Sequence, residues 1–374
     1  MSDLRLMIPG PVDADDDVLA AMSEQTLPHY GAPWMPIFNA TVNYLKRLFE
    51  TTGDVLLMPG PGSGALDAGI GSLIPAGAGI CIPTNGFFGT RLASMAECYD
   101  IHPYLIEFPM GAHTDPDAVR TQLKALLPKS ESEGHPIRAL VIVHHETSTG
   151  VLNPVKEIAR VAAEFDLPII VDAVASFGGV RLPCDEWGID YCVSVPNKCL
   201  AVPPGVGLAA VNARAWALAE ANPCKHGWYY DLRTWKWYMT NWGDWHPTPV
   251  TLPTNNIVAL HRALTGIFED GGMEAHFASI AQAAARVRAG LAEFGFSLLP
   301  GPAYAAPMVS ALTAPAGLDI AALLAYLMKE HGLMLSGGLA ELRGKIIRIG
   351  HMGRAATPDY TDALLAGVRA YMRR

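Results

Sequence analysis

Leu167-Pro-Ile-Ile-Val-Asp-Ala-Val-Ala-Ser176 decides the fold. Its first half is a short apolar run rich in β-branched residues, the pattern of a strand buried on both faces. The same pattern recurs at residues 55–58, 79–83, 139–144, 191–195 and 207–211, and residues 167–172 complete the set. Between these runs, residues 65–73, 89–99, 115–127, 155–165 and 213–219 read as helices. Strand–helix alternation predicts an α/β architecture with a parallel or mostly parallel sheet covered on both sides. Functional groups in such sheets gather at the carboxyl ends of the strands.

The pattern changes near residue 253. Residues 253–270 and 272–294 read as two long helices, followed by a strand at 308–313, a helix at 320–330, a strand at 345–349 and a last helix from about 358. A smaller α+β domain is expected there. The division predicted is an N-terminal segment 1–15, a large domain 16–260 and a small C-terminal domain 261–374.

Composition narrows the classes. Of 374 residues half are hydrophobic, 17% are charged, and the net charge is −9. Disorder needs the opposite balance. An acidic chain is a poor partner for nucleic acid. Mean hydropathy is +0.21, yet no run of 18 apolar residues occurs, so no membrane span is expected. Residues 1–17 lack a basic stretch followed by an apolar one, so no signal peptide is read and a cytoplasmic location is expected. The six cysteines contain no CxxC pair, which suits reduced thiols. No metal site is expected: His144 and His145 are adjacent on a strand end and face opposite ways. The apolar excess then belongs to a large core, a subunit interface, or both.

Three stretches carry chemistry. Met58-Pro-Gly-Pro-Gly-Ser-Gly-Ala-Leu-Asp67 is a strand end, a glycine-rich turn and a helix start. It suits an anion at a helix N-terminus, or it is a plain tight turn. Asp172 ends its apolar strand, where it serves a ligand, caps a helix or pairs with a cation. Lys198, in Val193-Ser-Val-Pro-Asn-Lys-Cys199, follows the next strand. Read alone it is a solvated loop lysine. Read together, two consecutive strands bring Asp172 and Lys198 to one rim beside the turn. That is the set pyridoxal 5′-phosphate (PLP) needs: a lysine for its aldehyde, a carboxylate for its ring nitrogen, a helix N-terminus for its phosphate and an apolar face for its ring. Asn85-Gly-Phe-Phe-Gly89 offers Phe87 or Phe88 as that face, or as core.

At this point the chain resembles a known family: the class V aminotransferases of fold type I, in the alanine/serine–glyoxylate aminotransferase group. The resemblance runs from Ile8-Pro-Gly-Pro-Val12 through Gly62-Ser-Gly-Ala-Leu66, Asn85-Gly-Phe-Phe-Gly89 and His145-Glu-Thr-Ser-Thr-Gly150. It continues through Val171-Asp-Ala-Val-Ala-Ser176, Asn197-Lys-Cys-Leu200 and Gly344-Lys-Ile-Ile-Arg-Ile-Gly-His-Met-Gly353. It implies a fold type I transferase, with a mostly parallel seven-stranded sheet in the large domain. It implies PLP, amino acid and 2-oxo acid substrates, and a homodimer with shared sites.

The resemblance also implies roles. Lys198 matches the cofactor-binding lysine and Asp172 the partner of the ring nitrogen. Val174 and Phe88 match the two ring faces. Gly62, Ser63 and Gly64 match the phosphate turn, with Asn197 on the phosphate side. Thr147 matches a side chain near the ring hydroxyl, and Arg348 the arginine that grips the substrate carboxylate. Thr248 matches a threonine donated by the partner subunit, although the family's tyrosine there is Trp245. Residues 228–245 hold five of the eight tryptophans, which reads as core or interface packing.

The expected reaction moves an amino group from an alanine- or serine-type donor to glyoxylate or pyruvate. Asn197-Lys-Cys-Leu200 is also similar to the pyridoxamine–pyruvate aminotransferases and the 2-aminoethylphosphonate–pyruvate aminotransferases. The first of these relatives carry an arginine and an acidic residue where this chain has Ser336-Gly-Gly338 and Gly60-Pro-Gly-Ser63. A cysteine desulfurase needs a cysteine on a late loop, and none follows Cys224. A non-catalytic relative would be expected to lack Lys198, Asp172 or Arg348.

Overall fold

The computed structural model describes residues 4–225 and 227–374, so the first three residues of the 1–15 segment lie outside it. Seven strands form the large sheet, in the order Asp54–Pro59, Val206–Val211, Tyr191–Ser194, Ile169–Asp172, Ile137–Val143, Gly79–Thr84, His102–Glu107. Val206–Val211 runs antiparallel to both neighbours, and the other pairings are parallel. The sheet is the mostly parallel one expected. Its central strand starts at Ile169, not 167, because Pro168 has no N–H for the ladder and contributes only its carbonyl, which accepts from Leu140 N at 2.9 Å.

The strand His102–Glu107 was absent from the apolar runs. It is an edge strand in which buried Tyr104 and Ile106 alternate with exposed or half-buried neighbours, so it offers no continuous apolar stretch. Two further elements, the helices Asp16–Met22 and Met35–Phe49, were also unanticipated. The second inserts Leu45 and Phe49 into the core, with the Phe49 ring 3.9 Å from that of Phe177.

Two helix starts matter for function. The glycine-rich turn is already helical, since the helix spans Gly62–Leu73. The helix Phe87–Glu97 begins two residues earlier than its pattern suggested and takes both phenylalanines into its first turn.

A second, four-stranded antiparallel sheet has the order Ser297–Leu298, Val309–Thr313, Ile346–Gly350, Ser336–Gly337. The helices Gly272–Ala292, Ile320–His331 and Pro358–Met372 pack on it through Val287, Leu291, Leu323, Leu327 and Leu364. Arg5–Leu6 adds a short parallel pairing with Leu333–Met334, which ties the N-terminal segment to this part of the chain.

The tryptophan-rich stretch divides. Trp235, on the helix Leu232–Asn241, is fully buried and its Nε1 donates to the Tyr229 carbonyl at 2.8 Å. Trp228, Trp237 and Trp245 are 55%, 49% and 43% exposed in the single chain. Among the described residues no helix is long and apolar enough to cross a membrane.

Candidate active site

The sheet brings Asp172 and Lys198 together by register. Asp172 pairs with Val193 of the neighbouring parallel strand, and that strand runs directly into the turn carrying Lys198. Both side chains line one cavity at the carboxyl ends of the strands. Asp172 Oδ1 accepts from Val174 N at 2.9 Å. Burial raises the Asp172 pKa, while the Val174 N–H and the charges of Arg91 and Lys198 oppose that rise. Burial pushes the Lys198 ammonium down to about 8. Its Nζ donates to the Pro9 carbonyl of the N-terminal segment.

Most of the remaining expected residues share this cavity. Gly62 and Ser63 form one wall, Phe88 and Thr147 a second, and Val174 and Asn197 lie beside Asp172 and Lys198. Pro61 precedes the helix Gly62–Leu73 without a side-chain cap. No side chain therefore covers the Gly62 and Ser63 N–H groups that open that helix, and they suit an anionic ligand. Gly62 is needed there for room: a Cβ would stand 2.6 Å from Val174 Cγ2 and 2.9 Å from Val195 Cγ1.

Gly64, Arg348 and Thr248 stand outside the cavity wall. The Gly64 N–H donates to the Pro61 carbonyl at 2.9 Å, and the Tyr230 ring covers the position. Arg348, on the strand Ile346–Gly350, is 6% exposed. It reaches the rim from the small sheet: Nη1 donates to the Thr147 carbonyl at 3.3 Å and Nε to the Gly337 carbonyl at 2.8 Å. Burial lowers its pKa and the Glu146 charge opposes this. Thr248 is buried elsewhere, with Oγ1 donating to the Val250 carbonyl at 3.1 Å, and it lines a separate cavity beside Trp235.

Three residues of the site were missed in the sequence. Arg91 lines the cavity one helical turn beyond Phe88, with its guanidinium carbon 4.9 Å from the centre of the Phe88 ring. The i, i+3 spacing after Phe88 was the available signal. His145 also lines the cavity, while His144 turns away to meet Trp187 at 5.9 Å. The opposite facing was expected; the place of His145 in the site was not. Its Nδ1 meets the Ala175 carbonyl at 3.0 Å, and burial holds its pKa down at about 4. Glu146 lies behind the wall and is described below.

The cavity thus offers an amine of accessible pKa, a carboxylate, an uncapped helix N-terminus and an aromatic face. These complement the aldehyde, ring nitrogen, phosphate and ring of PLP.

The family described as aminotransferase class-V matches residues 128–357. An uncharacterised aminotransferase of Methanocaldococcus jannaschii is 34% identical over 93% of this chain and 87% of its own. The pyridoxamine–pyruvate transaminase of Mesorhizobium japonicum is 31% identical over 97% of this chain and 90% of its own. Among solved structures, the alanine–glyoxylate aminotransferase of Nostoc sp. has a TM-score of 0.92 at 28% identity, covering 100% of this chain and 96% of that one.

Proposed function

The chain belongs to the class V aminotransferase family, and on that premise we propose that it moves an amino group from a small amino acid, of alanine or serine type, to glyoxylate or pyruvate. The observation that carries this reading is the register that brings Asp172 and Lys198 into one cavity with the uncapped helix Gly62–Leu73. The name of the Nostoc relative supports the donor and acceptor class.

PLP is the cofactor of this reading. When bound, it supplies an aldehyde that accepts the amino group and a ring that stores the electron pair released at the substrate Cα. Lys198 would hold the aldehyde and Asp172 the ring nitrogen. Phe88 and Val174 would cover the ring faces, and Thr147 would stand near the ring hydroxyl. The Gly62–Ser63–Gly64 turn and Asn197 would hold the phosphate, helped by Thr248 of a second subunit.

Two residues of this chain do the remaining work. Arg348 binds the carboxylate of the amino acid and then of the oxo acid, which orients Cα toward Lys198. Lys198 Nζ, released as a free amine, takes the Cα proton and later returns it. Its lowered pKa, about 8, makes the amine accessible near neutral pH. Because the first oxo-acid product leaves before the second oxo acid enters, the kinetics are ping-pong.

The division at about residue 260 into a large and a small domain belongs to the same proposal, with the two separate sheets as its support. So does a homodimer, supported by the exposed Trp228, Trp237 and Trp245. A cytoplasmic location is supported by the six free cysteines.

The resemblance to the Mesorhizobium transaminase favours a second reading, in which free pyridoxamine donates to pyruvate. 2-Aminoethylphosphonate is a third donor. A rapid-scan spectrum with each donor separates them. L-Alanine or L-serine should convert the absorbance of the lysine-bound cofactor to that of its aminated form. Conversion by pyridoxamine or 2-aminoethylphosphonate alone would replace the first reading.

A further inference from the structure

A carboxylate that none of these roles uses lies behind the cavity wall. Glu146 is fully enclosed. Its Oε2 accepts from Phe88 N at 2.9 Å and Gly89 N at 3.0 Å. Its Oε1 accepts from Ser148 N at 3.0 Å and from Ser148 Oγ at 2.6 Å. The same Oγ accepts from Phe87 N at 3.0 Å. The opening N–H groups of the helix Phe87–Glu97 are thus all spent on the turn formed by residues 146–148.

The surroundings of Glu146 are donors. Three backbone N–H groups and the positive end of the helix favour the ionised form. Burial raises its pKa, and these same hydrogen bonds oppose the rise. Gly86 gives independent evidence of how close the two segments run. Its backbone is extended, open to any residue, yet a Cβ would stand 2.5 Å from Ser148 Oγ and 2.6 Å from Glu146 Cδ.

The turn held by Glu146 also carries part of the cavity lining. Thr147 lines the cavity, and its carbonyl accepts from Arg348. One carboxylate therefore joins Phe88, Thr147 and the arginine from the small sheet.

We propose that Glu146 is a positioning residue, which locks the first turn of the helix Phe87–Glu97 to the turn 146–148 and so sets Phe88, Thr147 and Arg348 relative to one another. This rests on the roles given to those residues above. Glu146 touches no substrate, so removing it displaces other groups and deletes none of them.

The test uses the holoenzyme with Glu146→Gln, and separately Gly86→Ala. Glutamine has the same shape, but its amide must aim N–H groups at one of the two donor pairs. The alanine methyl forces the segments apart and leaves the charge intact, so it serves if the first variant does not fold. Both variants should still attach PLP covalently on borohydride reduction, because Lys198 is untouched. KM for the amino acid should rise, and kcat/KM fall by up to about a hundredfold, the order of loss a misplacement of about 1 Å brings. The circular dichroism of the bound cofactor should weaken. The double variant should be no worse than the more affected single one. A lowered melting temperature with unchanged KM and unchanged cofactor dichroism would overturn the proposal and leave Glu146 a structural residue. A wild-type chain that takes up no PLP would overturn the parent reading, and this one with it.

Discussion

Arg348 reaches Thr147 across the seam between the two sheets, its Nη1 donating to the Thr147 carbonyl at 3.3 Å. This contact brings a buried guanidinium from the small sheet to the rim of a cavity built by the large one. Neither of its hydrogen bonds uses a carboxylate. Arg348→Ala should raise KM for the amino acid and the oxo acid alike. A charge-assisted hydrogen bond is worth about 1.5–3 kcal/mol, so kcat/KM should fall roughly tenfold to a hundredfold for each. Steady-state kinetics with both substrates check this, and unchanged KM values would remove Arg348 from the role.

The Lys198 pKa predicts a pH profile for cofactor uptake. Only the free amine attacks an aldehyde, and burial lowers this ammonium from 10.5 to about 8. Uptake of PLP by the cofactor-free protein should therefore rise with pH to a midpoint near 8. The Asp172 charge raises the Lys198 pKa. Asp172→Asn should move the midpoint lower, as followed by the absorbance of the attached cofactor.

Three enclosed histidines predict acid lability. Burial lowers the pKa of His144 and His351 to about 3 and that of His145 to about 4, against 6.5 for the free side chain. Below 6.5 the unfolded chain binds protons that the folded chain refuses. Stability is complete above that value and falls as pH drops toward 4. Each histidine adds a slope of about 1.4 kcal/mol per pH unit in that window. His144→Gln should flatten the dependence of unfolding free energy on pH, measured in urea.

The exposed tryptophans predict association. Trp237 is 49% exposed beside Tyr238 and Trp242 on the same patch. Trp237→Ser should weaken the homodimer roughly tenfold or more in sedimentation equilibrium, the cost of truncating an interface aromatic, with little change in monomer stability. Trp235→Ala, by contrast, opens the core and should cost about 3–5 kcal/mol. A wild-type chain that sediments as a monomer would contradict the dimer.

The central sheet was legible because its strands are buried on both faces and read as unbroken apolar runs, as at 169–172. The edge strand His102–Glu107 was not, since half of its side chains face outward. The helix Met35–Phe49 escaped because polar Thr41 stands in its buried stripe of Met35, Phe38, Leu45 and Leu48, and because Trp34 before it supplies no capping side chain. Within the site, Asp172 and Lys198 could be read because strand ends collect function. Arg91 was readable only through its i, i+3 spacing after Phe88, and His145 and Glu146 could not be read, since their meaning comes from segments far apart in the chain. Glu146 meets Phe88 across 58 positions, and no local pattern encodes that approach.

The most direct test of the account is covalent capture at Lys198. Wild-type protein incubated with PLP and reduced with borohydride should carry the cofactor on the peptide containing Lys198. Lys198→Ala protein, folded as judged by circular dichroism, should carry none. Equal labelling of the two proteins, or labelling of wild type at another lysine, would contradict the assignment of this cavity as the aminotransferase site.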